Sequence, residues 1–167
     1  MNVYLVGMPG SGKSSVGRVL APLLKLGFVD LDEEVEQQTG RTVVELFESG
    51  GEGAFRLAES RALASVAAGR ELVVACGGGI VLDPSNRALL SSSGVVVYLE
   101  APLETLRARV GEGAGRPLLG GDDAAHARLE LLLADREPLY RSTAGHVVDA
   151  ARDAETVAKD VAEALRS

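Results

Sequence analysis

Cysteine is almost absent from this sequence, in which Cys76 is the only one among 167 residues. A single cysteine cannot form an internal disulfide, and a position directly after an apolar run favours a small core residue over a nucleophile. Long apolar runs are also missing, since none approaches the ~20 residues that a membrane-spanning helix needs. A glycine-rich loop begins at Gly7, where a secretory leader would carry its apolar segment. We therefore expect a cytoplasmic protein.

Positive charge is scarce as well. The formal net charge is -7 and the isoelectric point is about 4.9, which argues against non-specific attraction to nucleic acid or to anionic membranes. Only three of the 17 basic residues are lysines. Because the others are arginines, the role of any one arginine must be argued from its neighbours. We expect a monomer with no nucleic-acid partner and no membrane partner.

The apolar residues that are present fall into short runs rather than long ones. Most of these runs are continuous instead of alternating, which is typical of parallel strands covered on both faces. Segments with helix-capping and helix-ending residues lie between them, so strands and helices alternate. The sequence predicts one α/β domain over residues 1–167, with a three-layer fold in which helices flank a parallel sheet. The predicted strands are Val3–Val6, Phe28–Val29, Leu72–Cys76, Val95–Leu99 and His146–Val148.

One proline contradicts its surroundings. Pro22 falls inside the helix that is expected after Lys13, and a proline in a helix interior removes a hydrogen bond at a cost of roughly 3 kcal/mol. We predict that this helix kinks or ends early, near Arg18 to Ala21.

The segment GMPGSGKSS, which begins at Gly7, matches the phosphate-loop pattern G-x-x-x-x-G-K-[ST]. Its glycines let successive backbone N–H groups point inward and form a nest for phosphate oxygens. The following helix adds its positive end, Lys13 reaches the β- and γ-phosphates, and the Ser14 hydroxyl is a Mg²⁺ ligand. A chance glycine-rich turn is the alternative, but the preceding strand and the following helical pattern favour a nucleotide site. The predicted contacts are Gly10, Ser11, Gly12, Lys13, Ser14 and Ser15.

Two carboxylates follow the second strand. Asp30 and Asp32 lie at its carboxyl end, the edge where open α/β sheets bind ligands. A Mg²⁺-dependent phosphoryl transfer needs one carboxylate near the metal and a group that orients the attacking hydroxyl or accepts its proton. The two aspartates can divide these roles. The residues alone leave open that Asp32 only caps a helix over Glu33–Thr39.

The motifs GMPGSGKSS, DLD, TGRTVVELFESGGEGAFRLAE, CGGG, GRPLL and DREPLYR together resemble the shikimate kinase family over nearly the whole chain. The resemblance implies an adenylate-kinase-like P-loop NTPase fold: a five-stranded parallel sheet flanked by helices. It also implies a substrate-binding helical segment at about 31–60 and a mobile lid at about 111–123. The implied reaction transfers the γ-phosphate of ATP to the 3-hydroxyl of shikimate, with Mg²⁺, and yields ADP. This reaction is a step towards chorismate and the aromatic amino acids.

The same resemblance implies roles for single residues. Lys13, Asp32 and Arg116 are the implied catalytic residues, with Arg116 on the lid. Ser14 and Asp30 hold the metal. Arg109, Arg116 and Arg152 contact the nucleotide, although the family often has a basic or amide residue near position 153, where this chain has Asp153. The implied shikimate-binding residues are Asp32, Arg56, Gly78, Gly79 and Arg136.

Several alternatives remain open at this stage. Arg56 also fits a surface arginine paired with Glu52 or Glu59, Arg136 has a similar alternative, and CGGG also fits a plain tight turn. Another small-molecule kinase on the same fold, such as a gluconate kinase or a nucleoside monophosphate kinase, is the nearest functional rival. A non-catalytic nucleotide-dependent binding module is the rival from another class.

Overall fold

A five-stranded parallel sheet forms the centre of the protein, whose structure, a computed structural model, describes residues 1–112 and 122–167. The strand order is β2-β3-β1-β4-β5, and the α/β prediction is confirmed. All residues of β1 are buried, as the continuous apolar runs predict for strands covered on both faces. The strands are β1 (Asn2–Val6), β2 (Gly27–Asp30), β3 (Leu72–Ala75), β4 (Gly94–Glu100) and β5 (His146–Asp149).

Helices flank this sheet. Within the described residues they are α1 (Lys13–Leu24), α2 (Leu31–Thr39), α3 (Val43–Ala67), α4 (Pro84–Ser93), α5 (Leu103–Glu112), α6 (Asp122–Thr143) and α7 (Ala154–Ala164). Helix α1 packs against α7, while α4 packs against α3 and α6. None of the helices in the described part of the chain is long and apolar enough to cross a membrane.

The prediction that α1 ends early is wrong. The helix continues through Pro22 and ends at Leu24. Pro22 lies in the last turn, so only its own bond to the Arg18 carbonyl is missing, and few residues follow that a kink would displace. A left-handed Lys25 (φ 59°) then closes the helix, with Leu26 N–H bonded to the Ala21 carbonyl oxygen at 2.9 Å, which is a Schellman ending.

Helix α3 is interrupted at Gly51, whose backbone (φ 73°, ψ -170°) is not helical. Only glycine adopts this conformation without steric cost. The Thr42 hydroxyl caps the first part by accepting from Glu45 N–H at 3.1 Å. Phe47 and Phe55 stack across the interruption with ring centroids 4.8 Å apart. The break therefore allows the second part of α3 to take its own direction beside the sheet.

Candidate active site

The carboxyl ends of the parallel strands meet at one edge of the sheet, and the predicted site residues begin there. Strand β1 leads into the loop from Gly7 to Ser14, in which Gly7, Gly10 and Gly12 have positive φ angles of 154°, 86° and 91°. A Cβ on Gly7 would lie 2.8 Å from the Leu99 carbonyl oxygen. The loop therefore requires glycine for both its conformation and its close packing on the sheet.

Lys13 is the first residue of α1, and its ammonium group lies inside this loop. Its Nζ donates to the carbonyl oxygens of Gly7 and Met8 at 2.7 and 2.9 Å. The residue is only 8% exposed. Burial and two backbone acceptors hold the cation in the loop, at the positive end of α1.

Ser14 and Asp30 form a hard-oxygen pair next to the loop. The Ser14 hydroxyl donates to Asp30 Oδ2 at 2.5 Å. The other oxygen of Asp30 accepts from the backbone N–H groups of Asp32 and Glu33 at 2.9 and 3.3 Å. Asp30 is therefore the N-cap of α2, and the alternative that Asp32 caps this helix is wrong, because α2 begins at Leu31.

Asp32 points away from the cap and towards the glycine turn that follows β3. A Cβ on Gly77 would lie 3.5 Å from Asp32 Oδ1, and this oxygen is buried. Asp32 occupies the first turn of α2, where the positive helix end favours a carboxylate. The two aspartates thus face different groups, Asp30 the phosphate-loop serine and Asp32 the glycine turn.

Two arginines from separate helices reach that same turn. A Cβ on Gly79 would lie 2.3–2.4 Å from the guanidinium atoms of Arg56, and a Cβ on Gly78 would lie 3.3 Å from Arg136 Nη1. Pro9 of the phosphate loop also lies beside Gly78, with its Cδ 3.0 Å from the same Cβ position. The turn therefore joins the arginine pair to the phosphate loop, and its glycines leave room for the guanidinium groups.

The two guanidinium groups differ in their ionic partners. Arg56 Nη1 lies 3.0 Å from Glu59 Oε1, and Arg56 Nη2 lies 3.4 Å from Glu52 Oε1. Arg56 therefore forms the ion pairs that the sequence analysis gave as an alternative, and it also contacts Gly79. Arg136 is only 4% exposed, and within the described residues it forms no ion pair. Burying an unpaired guanidinium is costly. Arg136 is therefore the stronger candidate for an anion-binding group.

Sequence reasoning missed two buried residues of this site. Glu59 is 1% exposed, and its Oε2 lies 2.5 Å from the position of a Cβ on Gly77. The Tyr140 hydroxyl donates to the Gly78 carbonyl oxygen at 2.5 Å. Their only sequence signal is spacing: Glu59 follows Arg56 by three residues and Tyr140 follows Arg136 by four, which places each beside its arginine on a helix.

Cys76, at the end of β3, is a core residue as predicted. It is buried, and burial raises the pKa of its thiol, with the nearby Glu59 carboxylate acting in the same direction. A thiol in this state is a poor nucleophile.

A cavity of about 410 Å³ lies between the phosphate loop and the segment that joins β5 to α7. Arg109 links its two walls. One nitrogen, Nη1, donates to the carbonyl oxygens of Gly10 and Ser11 at 3.2 and 3.3 Å, and the other, Nη2, donates to those of Ala150 and Arg152 at 2.8 and 3.2 Å. The cavity lining is Gly10, Ser11, Gly12, Ser15, Val16, Arg109, Ala150, Arg152, Asp153 and Ala154.

The remaining predicted residues lie at the edge of this cavity or beyond the described chain. The Arg152 guanidinium forms an ion pair with Asp160, although the residue also lines the cavity. Asp153 caps α7 by accepting from Thr156 N–H at 3.2 Å, and hydrogen bonds from Thr156 lower the pKa of its carboxyl. Arg116 and the centre of the predicted lid, 113–121, lie outside the described residues.

Comparison with known proteins identifies the family of this chain. A family model described as shikimate kinase matches residues 9–166. A shikimate kinase of Gloeobacter violaceus is 55% identical over 141 residues, covering 84% of this chain and 78% of the relative. Another, from Halorhodospira halophila, is 44% identical over 165 residues, covering 98% and 93%. The solved structure of shikimate kinase from Acinetobacter baumannii in complex with shikimate has a TM-score of 0.94 and 38% identity, covering 99% and 92%.

Proposed function

The chain belongs to the shikimate kinase family, and from this premise we propose that its cleft transfers the γ-phosphate of ATP to the 3-hydroxyl of shikimate. The products are shikimate 3-phosphate and ADP, and the reaction is a step towards chorismate and the aromatic amino acids. The observation that carries the proposal is the turn at Gly78 and Gly79, which Arg56 and Arg136 reach from two helices while Pro9 of the phosphate loop contacts it.

The acceptor end of the cleft suits a small carboxylate. A guanidinium group binds a carboxylate through two parallel hydrogen bonds, which a lysine ammonium cannot reproduce. Arg136 is buried and forms no ion pair among the described residues, so the shikimate carboxylate supplies the negative charge that it lacks. Arg56 shares its charge with Glu52 and Glu59 and makes the second contact. Gly78 and Gly79 line the site through their backbone groups.

Asp32 is the group proposed to orient the attacking hydroxyl. Its carboxylate faces the turn that carries the acceptor, whereas the Lys13 ammonium lies in the phosphate loop. Phosphoryl transfer proceeds through a loose transition state, so positioning and charge stabilisation contribute most of the catalysis. Lys13 stabilises charge on the transferring group, and Asp32 aligns the hydroxyl with it and accepts its proton.

The residues present fit a bound Mg²⁺. Magnesium prefers oxygen ligands and usually takes only one or two carboxylates, with water and substrate phosphates completing its coordination. The pair of Ser14 Oγ and Asp30 Oδ2, 2.5 Å apart, offers such oxygens, and in the described part of the chain no cluster of three or more His, Cys, Asp and Glu side chains can hold a metal. Ser14 and Asp30 would hold the ion, which would supply positive charge that neutralises the phosphate groups of ATP.

Several further assignments belong to this proposal. Arg109 and Arg152 line the nucleotide cavity, with Gly10 and Ser15 among the loop residues on its wall. Arg116 acts on the transferring phosphate from a lid at about 111–123, and the acceptor segment is about 31–60. The chain acts as a single-domain cytoplasmic monomer.

The reaction is tested by coupled measurement of ADP release with shikimate, gluconate or AMP as the acceptor. We expect release that depends on shikimate and on Mg²⁺, with gluconate and AMP near the rate without acceptor. Turnover that is faster with gluconate or AMP than with shikimate would contradict the proposed acceptor.

Gly79→Ala tests whether the Arg56 guanidinium must lie over the turn. The new Cβ would lie 2.3–2.4 Å from three guanidinium atoms, so Arg56 must move away from its position. We expect shikimate KM to rise about tenfold, the effect of losing one charged hydrogen bond, with ATP KM little changed. Steady-state kinetics measures both constants.

Gly53→Ala is the matched control for this substitution. Gly53 lies in the second part of α3, the helix segment that carries Arg56. A Cβ on Gly53 meets nothing within 4 Å, so both KM values should stay near those of the parent protein. An unchanged shikimate KM in Gly79→Ala would remove Arg56 from the acceptor site.

A further inference from the structure

The Tyr140 hydroxyl lies at the junction between the phosphate loop and the acceptor turn. Its oxygen is 2.5 Å from the Gly78 carbonyl oxygen and 3.8 Å from the Met8 sulfur. A phenol has one proton to donate, and the shorter contact with the stronger acceptor takes it. The hydroxyl therefore fixes Gly78. The same oxygen also contacts Met8, which precedes Pro9 in the phosphate loop.

The residue that this hydroxyl holds also lies beside the arginine of the acceptor site. Arg136 lies four residues before Tyr140 on α6, on the same helix face, and its Nη1 lies 3.3 Å from the position of a Cβ on Gly78. Burial raises the pKa of Tyr140 above its ordinary value, so the phenol stays protonated at neutral pH. A neutral hydroxyl keeps the proton that it donates to the Gly78 carbonyl oxygen.

The packing of the Tyr140 ring is separate from these hydrogen bonds. The ring is fully buried and stacks on Tyr98 with centroids 5.1 Å apart. A phenylalanine at this position would keep that contact and lose only the hydroxyl. The polar role of Tyr140 can therefore be tested apart from its role in the core.

We infer that Tyr140 is a positioning residue for shikimate: its hydroxyl holds the Gly78 carbonyl, and so keeps the acceptor turn beside the Arg136 guanidinium in the arrangement that receives the acceptor. This inference rests on the proposed function. The residue acts through Gly78. Its removal therefore weakens the binding of the acceptor rather than the chemical step.

Tyr140→Phe is the variant that tests the inference, and Tyr98→Phe is its matched control. Tyr98 is the stacked neighbour, and its hydroxyl makes no hydrogen bond to any residue that the structure describes, so the same chemical change there should leave the kinetics unaltered. For Tyr140→Phe we expect shikimate KM to rise about five- to tenfold, the effect of a lost buried hydrogen bond. We expect kcat and ATP KM to stay within about twofold, since the chemical step keeps its own groups.

The outcomes separate the inference from the proposed function. Absence of shikimate-dependent ADP release in the parent protein would contradict the function itself. With an active parent, an unchanged shikimate KM in Tyr140→Phe overturns the inference. A fall in kcat at constant shikimate KM also overturns it, because that result indicates only a smaller folded fraction.

A second measurement does not depend on the folding of Tyr140→Phe. The chain has three tyrosines, so labelling with 3-fluorotyrosine gives three ¹⁹F resonances, which Tyr4→Phe and Tyr98→Phe assign. Saturating shikimate should shift the Tyr140 resonance and leave the Tyr4 resonance unchanged. The Tyr4 hydroxyl bonds to a different part of the protein, since it lies 2.7 Å from Ser93 Oγ. A Tyr140 resonance that stays unmoved at saturation overturns the inference.

Discussion

Asp32→Asn is expected to lower kcat by roughly 10²-fold or more, the lower end of the effect of a lost acid–base group. The amide keeps the size of the carboxylate but carries no charge and cannot accept the proton of the attacking hydroxyl. Because Asp32 Oδ1 lies beside the glycine turn that carries the proposed acceptor site, ATP affinity should change little. Steady-state turnover and ATP binding by calorimetry measure the two effects.

Glu33→Gln is the control for this prediction. Glu33 is the next residue in the first turn of α2, and its carboxylate pairs with Arg18 at 2.9 Å on the exposed surface. The substitution removes the same charge from the same helix end, so any effect of the helix dipole on stability is matched. Near-parental turnover in Asp32→Asn would remove Asp32 from the mechanism, whatever the control shows.

Arg136→Lys is expected to weaken shikimate binding by about 10- to 100-fold, the range for losing a hydrogen bond to a charged group. Lysine keeps the positive charge but loses the planar fork that binds a carboxylate with two hydrogen bonds. Calorimetry of shikimate binding gives the dissociation constant, and ATP binding should stay near that of the parent.

Arg141→Lys serves as its control. Arg141 lies on the same helix, α6, but its side chain is 47% exposed and pairs with Glu137 and Glu100. The same change in chemistry there should leave the dissociation constant of shikimate unaltered. Equal shikimate affinity in Arg136→Lys and Arg141→Lys would remove Arg136 from the acceptor site.

The sequence predicted the parts of the site that depend on local pattern. The phosphate loop was recognisable because glycine spacing, lysine and serine are all required within a few residues. The pattern indicates both Asp30 and Asp32, but the alternative interpretation makes Asp32 the N-cap of α2, whereas the N-cap is Asp30. That assignment depends on whether α2 begins at Leu31 or Glu33, and such a shift is too small for a pattern to settle.

Other features depend on contacts between distant parts of the chain. Tyr140 and Gly78 are 62 residues apart in the sequence, so no local pattern indicates their hydrogen bond. Glu59 was considered only as a surface partner of Arg56, because its burial results from packing against the turn after β3. The prediction that α1 ends before Pro22 is wrong because the sequence alone does not reveal that the helix closes at Leu24 with a Schellman ending.

The bridge that Arg109 makes has a consequence for the entropy of nucleotide binding. One side chain ties Gly10 and Ser11 to Ala150 and Arg152 through hydrogen bonds within the protein itself. The walls of the proposed nucleotide cavity are therefore preorganised, and an incoming nucleotide would not have to order two loose segments at its own cost. Selection of the nucleotide would then depend on its fit to walls that are already joined rather than on adaptation of the protein around it.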